Sequence, residues 1–262
     1  MMRLVILAFL FSMVFLWQYS FAERSSFLLV YREDIPFYFG LAQRLFKKSS
    51  AEEKVFLCPL KDWPKCMNGK YSHILVFGDL AYKKLLDSSL DRKAKIFAFF
   101  VTDCSKNKGR NICCCHLFPT LQETVRVLQK EFKNQKFLVL YTSKTKWWVR
   151  GYTSPKVLFF QLDIDDLRES LRKAFKNDPE IFILAPDFLF MHPSFLKDVV
   201  QYSFLFSKIL VGLSLKMQKY GVPVVVFYDY HHFWQNFTFD LLRSQGVKIP
   251  LRLSLASWHI KP

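Results

Sequence analysis

Four consecutive residues, Cys113, Cys114, Cys115 and His116, bring three thiols and an imidazole together in the sequence. Thiolate and imidazole are the ligands that zinc prefers, so this run suggests a metal site. Neighbouring residues of an extended chain point to opposite faces, however, and three in a row do not close a tetrahedral site without unusual backbone. We therefore expect no metal at this run.

Residues 1–22 have the composition of a cleavable secretory signal peptide. Arg3 is the sole charge, residues 4–17 are apolar, and Ser20 and Ala22 place small side chains where signal peptidase accepts them. An uncleaved membrane anchor is the alternative, because the apolar run approaches the roughly 20 residues that span a bilayer. Both interpretations place the remaining chain outside the cytoplasm, in the periplasm or another extracytoplasmic space, and the second tethers it to the membrane.

Export bears on the cysteines, because extracytoplasmic compartments are oxidising. The six cysteines are therefore expected to form disulfides rather than a metal centre. Cys58 and Cys66 bracket a short loop, whereas Cys104 has three alternative partners, and the sequence does not fix the pairing. Those alternatives are Cys113, Cys114 and Cys115.

No catalytic constellation stands out elsewhere. The sequence contains no Gly-x-Ser-x-Gly elbow, no phosphate-binding glycine loop and no His-Glu-x-x-His motif. His231 and His232 follow Asp229, but neighbouring histidines do not share a face on a helix or a strand, so packing or surface roles fit them better than metal binding. We expect a protein that is not an enzyme and that carries no cofactor.

The composition indicates a folded and basic protein. Hydrophobic residues make up 51% of the chain and phenylalanine alone occurs 29 times, which supplies ample core material. The formal net charge is +16, but the 38 lysines and arginines are dispersed and no basic, aromatic-interleaved RNA motif occurs. We therefore expect a solvated basic surface and no nucleic-acid partner.

Short apolar runs rich in Val, Ile and Phe alternate with amphipathic stretches, which predicts an α/β fold with helices covering parallel sheets. Strands are expected at 26–31, 54–58, 73–77, 95–101, 136–141, 156–161, 181–185, 209–213, 222–228 and 247–255. Helices are expected at 39–48, 120–132, 165–175, 193–204, 214–219 and 233–245, with a further one ending at 86.

A polar break at residues 133–135 predicts the boundary between two lobes. The expected organisation is the signal peptide followed by an N-terminal α/β lobe, a C-terminal α/β lobe and a segment that returns to the hinge region. The corresponding ranges are 1–22, 23–133, 134–223 and 224–262.

Residues 181–187, Ile-Phe-Ile-Leu-Ala-Pro-Asp, and 208–214, Lys-Ile-Leu-Val-Gly-Leu-Ser, carry a family resemblance. They resemble the strand, Asp-containing turn and Pro-Val-Gly-x-Ser strand of ABC-transporter substrate-binding proteins with the type I periplasmic-binding fold, in the amino-acid branch. Residues 31–38 and 73–81 resemble the first and third strand exits of that family. The resemblance implies two Rossmann-like lobes that bind a small, amino-acid-like ligand in the cleft between them and present it to a membrane permease.

In such a fold the ligand lies outside the carboxyl ends of the parallel strands. A zwitterionic amino acid needs a carboxylate, hydrogen-bond donors and an apolar wall, which Asp187, Ser214 and Phe37 could each supply. An Asp or Ser after a strand also serves as a helix N-cap, which is the alternative interpretation. The expected ligand-binding residues are Arg32, Phe37, Gly78, Asp79, Thr102, Tyr141, Asp187, Ser214 and Asp229.

Two departures from the family pattern favour a second function. About 14 residues separate the strands expected at 136–141 and 156–161, where the family has a long helix. The segment from His231 to Asn236 stands where the family has helix residues rich in Gly and Ala. The alternative is a degenerate binding-protein fold that serves as an interaction or sensory module for another envelope protein and has no transport role.

Overall fold

A computed structural model describes residues 25–51, 53–88, 94–104, 111–244 and 247–256. The expected signal peptide, residues 1–22, lies outside this part of the chain. The chain divides into two compact units, Met1–Phe99 with Asn107–Cys114 and Phe100–Lys106 with Cys115–Pro262. The first of two β-sheets lies mainly in the first unit, and the second lies wholly in the second unit.

The strands of the first sheet are Ser26–Tyr31 (β1), Lys54–Pro59 (β2), His73–Phe77 (β3), Lys95–Val101 (β4) and Ile112–His116 (β5). Their order is β2-β1-β3-β4-β5. β1 pairs in parallel with β2 and β3, and β3 pairs in parallel with β4. Every residue of β3 is buried, as expected for a parallel strand that is covered on both faces.

Within the described residues, three α-helices accompany the first sheet: Pro36–Lys48 (α1), Trp63–Cys66 (α2) and Asp79–Leu86 (α3). α1 begins three residues earlier than the sequence predicts, because Pro36 suits the first helical turn, where its missing N–H is not needed. The buried residues of α1, Leu41, Ala42 and Leu45, recur at helical spacing.

The strands of the second sheet are Phe137–Tyr141 (β6), Val157–Gln161 (β7), Ile181–Leu184 (β8), Ile209–Gly212 (β9), Val224–Tyr228 (β10) and Leu251–Leu255 (β11). Their order is β11-β10-β9-β8-β6-β7. The five strands from β6 to β10 run parallel to one another, whereas β11 runs antiparallel to β10. The sheet is therefore mostly parallel, with an antiparallel strand at one edge.

Among the residues that the structure describes, seven α-helices accompany the second sheet: Leu121–Glu131 (α4), Lys146–Val149 (α5), Leu167–Phe175 (α6), Phe188–Met191 (α7), Pro193–Leu205 (α8), Tyr230–Gln235 (α9) and Phe239–Arg243 (α10). A 3₁₀-helix, Leu215–Tyr220, follows β9. In the described part of the chain, no helix is both long and apolar enough to cross a membrane.

Two apolar clusters cover the two faces of the second sheet. Leu138 and Leu140 of β6 pack with α6 and α8 in one cluster, and Phe137 and Val139 of the same strand pack with α4 in the other. Successive side chains of a strand point to opposite faces, so an uninterrupted apolar strand feeds both clusters. The predicted α/β fold with helices on both faces is confirmed.

Several elements differ from the sequence-based prediction, and three of these differences have a local physical cause. Residues 112–116 form β5, which was not predicted because the cysteines obscured its alternation. The helix expected at 233–245 is divided into α9 and α10, since the Asn236 side chain donates to the His232 carbonyl at 2.9 Å and ends α9. The last strand begins at Leu251 rather than 247, directly after Pro250, which lacks an N–H for sheet pairing.

Four of the six cysteines form disulfides, as the sequence predicts, and the other two do not. Cys58 and Cys66 are bonded to each other with an S–S distance of 2.14 Å. Cys104 and Cys114 are both disulfide-bonded as well, while Cys113 and Cys115 carry thiols. Of the three alternatives for Cys104, Cys114 is thus the cysteine of β5 that is oxidised.

Candidate functional site

Both sheets share the strand order 2-1-3-4-5 when strands are counted from the first strand of each sheet, and the second sheet adds a sixth strand at its edge. The first sheet reverses its direction of growth between β1 and β3, and the second sheet does so between β6 and β8. Ligands of open α/β sheets bind outside the carboxyl ends of the strands at this switch point. The residues that follow β1, β3, β6 and β8 are therefore the candidate site of each unit.

Arg32 follows β1, and its guanidinium is engaged within its own loop. Its Nε donates to Oδ1 of Asp34 at 2.9 Å, and its Nη2 donates to Oδ2. This hydrogen bonding lowers the pKa of the Asp34 carboxyl. The Arg32 side chain is 35% exposed, so a ligand carboxylate can reach it only in competition with Asp34.

Gly78 follows β3 and lies against the ring of Tyr38, at the start of α1. Its φ is +87°, a conformation that L side chains rarely adopt, and a Cβ at this position would come within 2.9 Å of the Tyr38 ring. Burial raises the pKa of Tyr38, and the charge of Asp79 raises it further. The expected site residues Gly78 and Asp79 thus lie together beside Tyr38, which the sequence analysis missed.

Two exposed apolar side chains adjoin the contact between Tyr38 and Gly78. Phe37, an expected ligand-binding residue, is 53% exposed, and its ring centroid lies 5.7 Å from that of Tyr38. Leu80, in the first turn of α3, is 45% exposed. The carboxyl edge of the first sheet therefore combines aromatic and aliphatic surface with a guanidinium.

Thr142 and Asp187 join across the switch point of the second sheet. The hydroxyl of Thr142, which follows β6, donates to Oδ2 of Asp187, and both residues are buried. Oδ1 of Asp187 accepts the backbone N–H of Leu189 at 2.9 Å, so Asp187 also serves as the N-cap of α7. Both oxygens of this carboxylate are engaged within the protein.

The exposed surface beside this pair is aromatic. Phe188, immediately after Asp187, is 87% exposed, and Tyr141 at the end of β6 is half-buried. Phe188 was missed in the sequence because an exposed phenylalanine in an apolar run is indistinguishable from a core residue. A flat apolar ligand can stack on such a ring.

The remaining expected residues lie at the ends of other strands. Thr102 directly follows β4, and Ser214 follows β9 at the N-cap position of the 3₁₀-helix without a capping hydrogen bond from its side chain. Asp229 follows β10, where it accepts the His232 N–H at 3.0 Å and lies 3.6 Å from Nε of Arg252. Asp229 is thus an N-cap and an ion-pair partner, two strands away from the switch point of its sheet.

A half-buried polar network links β10 to the start of α4. The Tyr228 hydroxyl donates to Oε2 of Glu123 at 2.7 Å, and the same oxygen accepts the Thr120 hydroxyl at 2.7 Å and its N–H at 2.9 Å. Burial opposes the charge of Glu123, but these hydrogen bonds outweigh it, so the pKa of Glu123 is lowered. Burial and the bond to Glu123 raise the pKa of Tyr228.

The cysteine and histidine runs do not converge on a metal site. In the residues that the structure describes, no group of three or more His, Cys, Asp or Glu side chains is placed to hold a metal ion. His231 and His232 instead bond within α9, to Gln235 at 2.8 Å and to Asn236 at 3.5 Å. His259 lies outside the described residues.

Comparison with known proteins bears on the fold. No protein-family model and no curated protein sequence matches the chain. The ligand-free, open structure of a substrate-binding protein with adhesive properties from Clostridium difficile superposes with a TM-score of 0.60 at 13% identity, over 87% of this chain and 91% of that one. An ABC domain from Streptococcus pneumonia in complex with L-Trp gives a TM-score of 0.49 at 15% identity, over 86% of each chain.

The fold is that of the periplasmic-binding proteins of type I. The likeness to the clostridial protein extends over most of both chains, and it agrees with the shared strand order of the two sheets. The resemblance seen in the sequence is confirmed at the level of the fold. Identity of 13% shows the fold alone and assigns this chain neither a ligand nor a biological role.

Proposed function

We propose that this protein is an extracytoplasmic solute-binding protein of an ABC-type uptake system that binds a small, amino-acid-like ligand. The observation that carries the proposal is the repeated switch point: two units with the same strand order each bring polar and aromatic side chains to the carboxyl edge of the sheet. A type I binding fold uses these edges for ligands. The disulfides fit an oxidising compartment, which supports export.

Each of the two edges carries groups that suit part of a zwitterion. The Arg32 guanidinium could pair with the carboxylate of the ligand. The Ser214 hydroxyl could donate to the ligand, because it makes no capping hydrogen bond to the 3₁₀-helix. Phe37 and Phe188 supply apolar walls. The proposed binding residues are Arg32, Phe37, Gly78, Asp79, Thr102, Tyr141, Asp187, Ser214 and Asp229, and we add Tyr38, Thr142 and Phe188 to this proposal.

Asp187 has a different part in this proposal from the one that the sequence suggested. The oxygens of Asp187 accept hydrogen bonds from the Thr142 hydroxyl and the Leu189 N–H. We therefore propose that the carboxylate positions the chain segment that carries Phe188 and does not itself bind the ammonium group of the ligand. The ammonium group of the ligand would then lie at the solvent-exposed surface of the carboxyl edge and not at the Asp187 carboxylate. Displacing Thr142 instead would leave a buried hydroxyl without an acceptor, which costs about 1–3 kcal/mol.

A screen of the twenty amino acids against the purified protein tests the function. A ligand at one hundred times its dissociation constant raises the free energy of unfolding by about 2.7 kcal/mol, which thermal denaturation detects. The Phe188→Ala variant should weaken the binding of the identified ligand in isothermal titration calorimetry. The Phe204→Ala variant is the matched control, because Phe204 is also exposed, at 61%, but lies on α8. If no amino acid shifts the transition, or if both variants bind equally, the proposal fails.

The second candidate is an envelope interaction module without a transport role, and two observations favour it. Phe204 and Leu205 are adjacent on α8 and are 61% and 77% exposed, so this helix places two large apolar side chains side by side at the surface. The crossover between β6 and β7 is also short, with only α5 and a 3₁₀ turn in the described structure. A neighbouring permease and ATPase gene pair would support transport, whereas an orphan gene would support the module.

A further inference from the structure

A cavity of about 370 Å³ lies in the second unit, apart from the switch point of that sheet. It is formed by α9, α10 and the segment that leads into β11. β10 is two strands from β8 in the sheet, which corresponds to roughly 10 Å. The lining residues are His232, Phe233, Asn236, Leu241, Val247, Lys248 and Pro250.

The walls of this cavity are mostly apolar and partly fixed. Phe233 is buried at 6% exposure and packs edge-on against Trp234 at 4.7 Å and Phe237 at 5.9 Å. The Pro250 carbonyl accepts the Asp229 N–H at 2.7 Å, which holds the strand-leading segment beside the start of α9. A volume of this size suits a ligand built on a single ring or a branched chain.

The polar lining is cationic or neutral. Lys248, His232 and Asn236 line the cavity, and none of its lining residues is acidic. The neighbouring carboxylates are engaged: Asp229 lies 3.6 Å from Arg252, and Asp240 lies 2.7 Å from Arg243. Among the described residues, Lys248 forms no ion pair with a carboxylate.

We propose that this cavity binds a small carboxylate with an apolar body. The Lys248 ammonium group would pair with the carboxylate, the Asn236 amide and the His232 ring would stand beside it, and Phe233, Leu241 and Val247 would surround the apolar body. This pocket lies two strands from the switch point of its sheet, although Asp229, one of the proposed solute-binding residues, adjoins it through its bonds to His232 and Pro250. The protein would thus bind a second ligand through α9, α10 and the segment that precedes β11.

Benzoate is the probe that tests the site, and benzamide is its neutral counterpart of nearly the same shape. Isothermal titration calorimetry on the purified protein should show benzoate binding and at least tenfold weaker binding of benzamide, because a charge-assisted hydrogen bond is lost. Lys248→Met should weaken benzoate binding about tenfold, since it keeps the length of the stem and removes the charge. Leu241→Trp should abolish binding by filling the cavity.

The control variant is Lys197→Met, which removes an exposed lysine from α8. It should bind benzoate as the unaltered protein does. The proposal is overturned if benzoate does not bind, if benzamide binds equally well, or if Lys248→Met binds like Lys197→Met. Amino acid binding at the switch points should persist in Lys248→Met, so failure of this site is distinguishable from failure of the proposed function.

Discussion

The hydroxyl of Thr142, at the end of β6, donates a hydrogen bond to the buried carboxylate of Asp187, at the end of β8. These two strands pair in parallel and flank the switch point of the second sheet. The bond therefore fixes the spacing of the two chain segments from which a ligand would be held. It also fixes the start of α7, because Asp187 caps that helix.

Replacing Thr142 by Val should destabilise the protein by about 1–3 kcal/mol, because the isosteric side chain leaves one buried oxygen of Asp187 without its donor. Urea denaturation followed by circular dichroism measures the change. Thr153→Val is the control, since Thr153 is exposed and the same substitution there removes no buried bond. An equal loss of stability in both variants would show that the buried bond contributes nothing.

Gly78→Ala and Gly40→Ala should change stability in opposite directions. At Gly78 a Cβ meets the Tyr38 ring and φ is +87°, so the free energy of unfolding should fall by about 1 kcal/mol or more. Gly40 lies inside α1, and a Cβ added there would meet no atom within 4 Å, so alanine should raise the free energy of unfolding by about 0.5–1 kcal/mol. Chemical denaturation of the two variants checks the signs, and a stabilising Gly78→Ala would refute the contact.

Tyr228→Phe should lower the free energy of unfolding by about 1 kcal/mol, because it removes the 2.7 Å hydrogen bond to Glu123 and leaves the ring in place. Tyr220→Phe serves as its control. The Tyr220 hydroxyl has no hydrogen bond to any described residue, and its loss should be close to neutral. Thermal denaturation at pH 7 compares the two, and a Tyr228→Phe protein as stable as the control would argue against the network.

The acid sensitivity of stability should decrease in Glu123→Gln. The pKa of Glu123 is lowered from its ordinary 4.5 in the folded state, so its stabilising contribution is present above pH 4.5 and is lost as pH falls through the lower folded value. Glutamine does not titrate, so the difference in stability between the two proteins should shrink as the solution is acidified below pH 4.5. Asp34 and Glu169, whose pKa values are also lowered, titrate in both proteins and cancel.

Denaturation curves between pH 3 and pH 7 make this measurement, with Glu131→Gln, an exposed position on α4, as the control. A constant difference across the range would contradict the assignment.

The alternation of apolar runs predicted β3 at 73–77 and β4 at 95–101 with the bounds that the structure shows. Such strands are buried on both faces, so the residues after the first position of each run are apolar and the run itself marks the strand. β5 was not predicted because four of its five residues are Cys or His, so it lacks the run of Val, Ile and Phe that marks the other strands. The break between α9 and α10 escaped because it depends on a side-chain bond from Asn236.

The positions of the candidate site residues could likewise be predicted from the sequence, but their contacts could not. The rule that ligands lie at the carboxyl ends of strands selected Arg32, Gly78 and Asp187 by position alone. It could not show that Arg32 is paired with Asp34, because that pairing depends on the path of a loop. Nor could it find Phe188, whose exposure depends on how Asp187 directs α7.

By itself, the sequence determined the α/β class, most strands and the family resemblance of the fold, because local hydrophobic pattern and strand burial are encoded residue by residue. Only the tertiary structure decided which partner each polar group takes. Thr142 and Asp187 are 45 positions apart in the chain, and Glu123 and Tyr228 are 105 apart. Hydrogen bonds over such separations depend on strand order and helix packing, which no local pattern records.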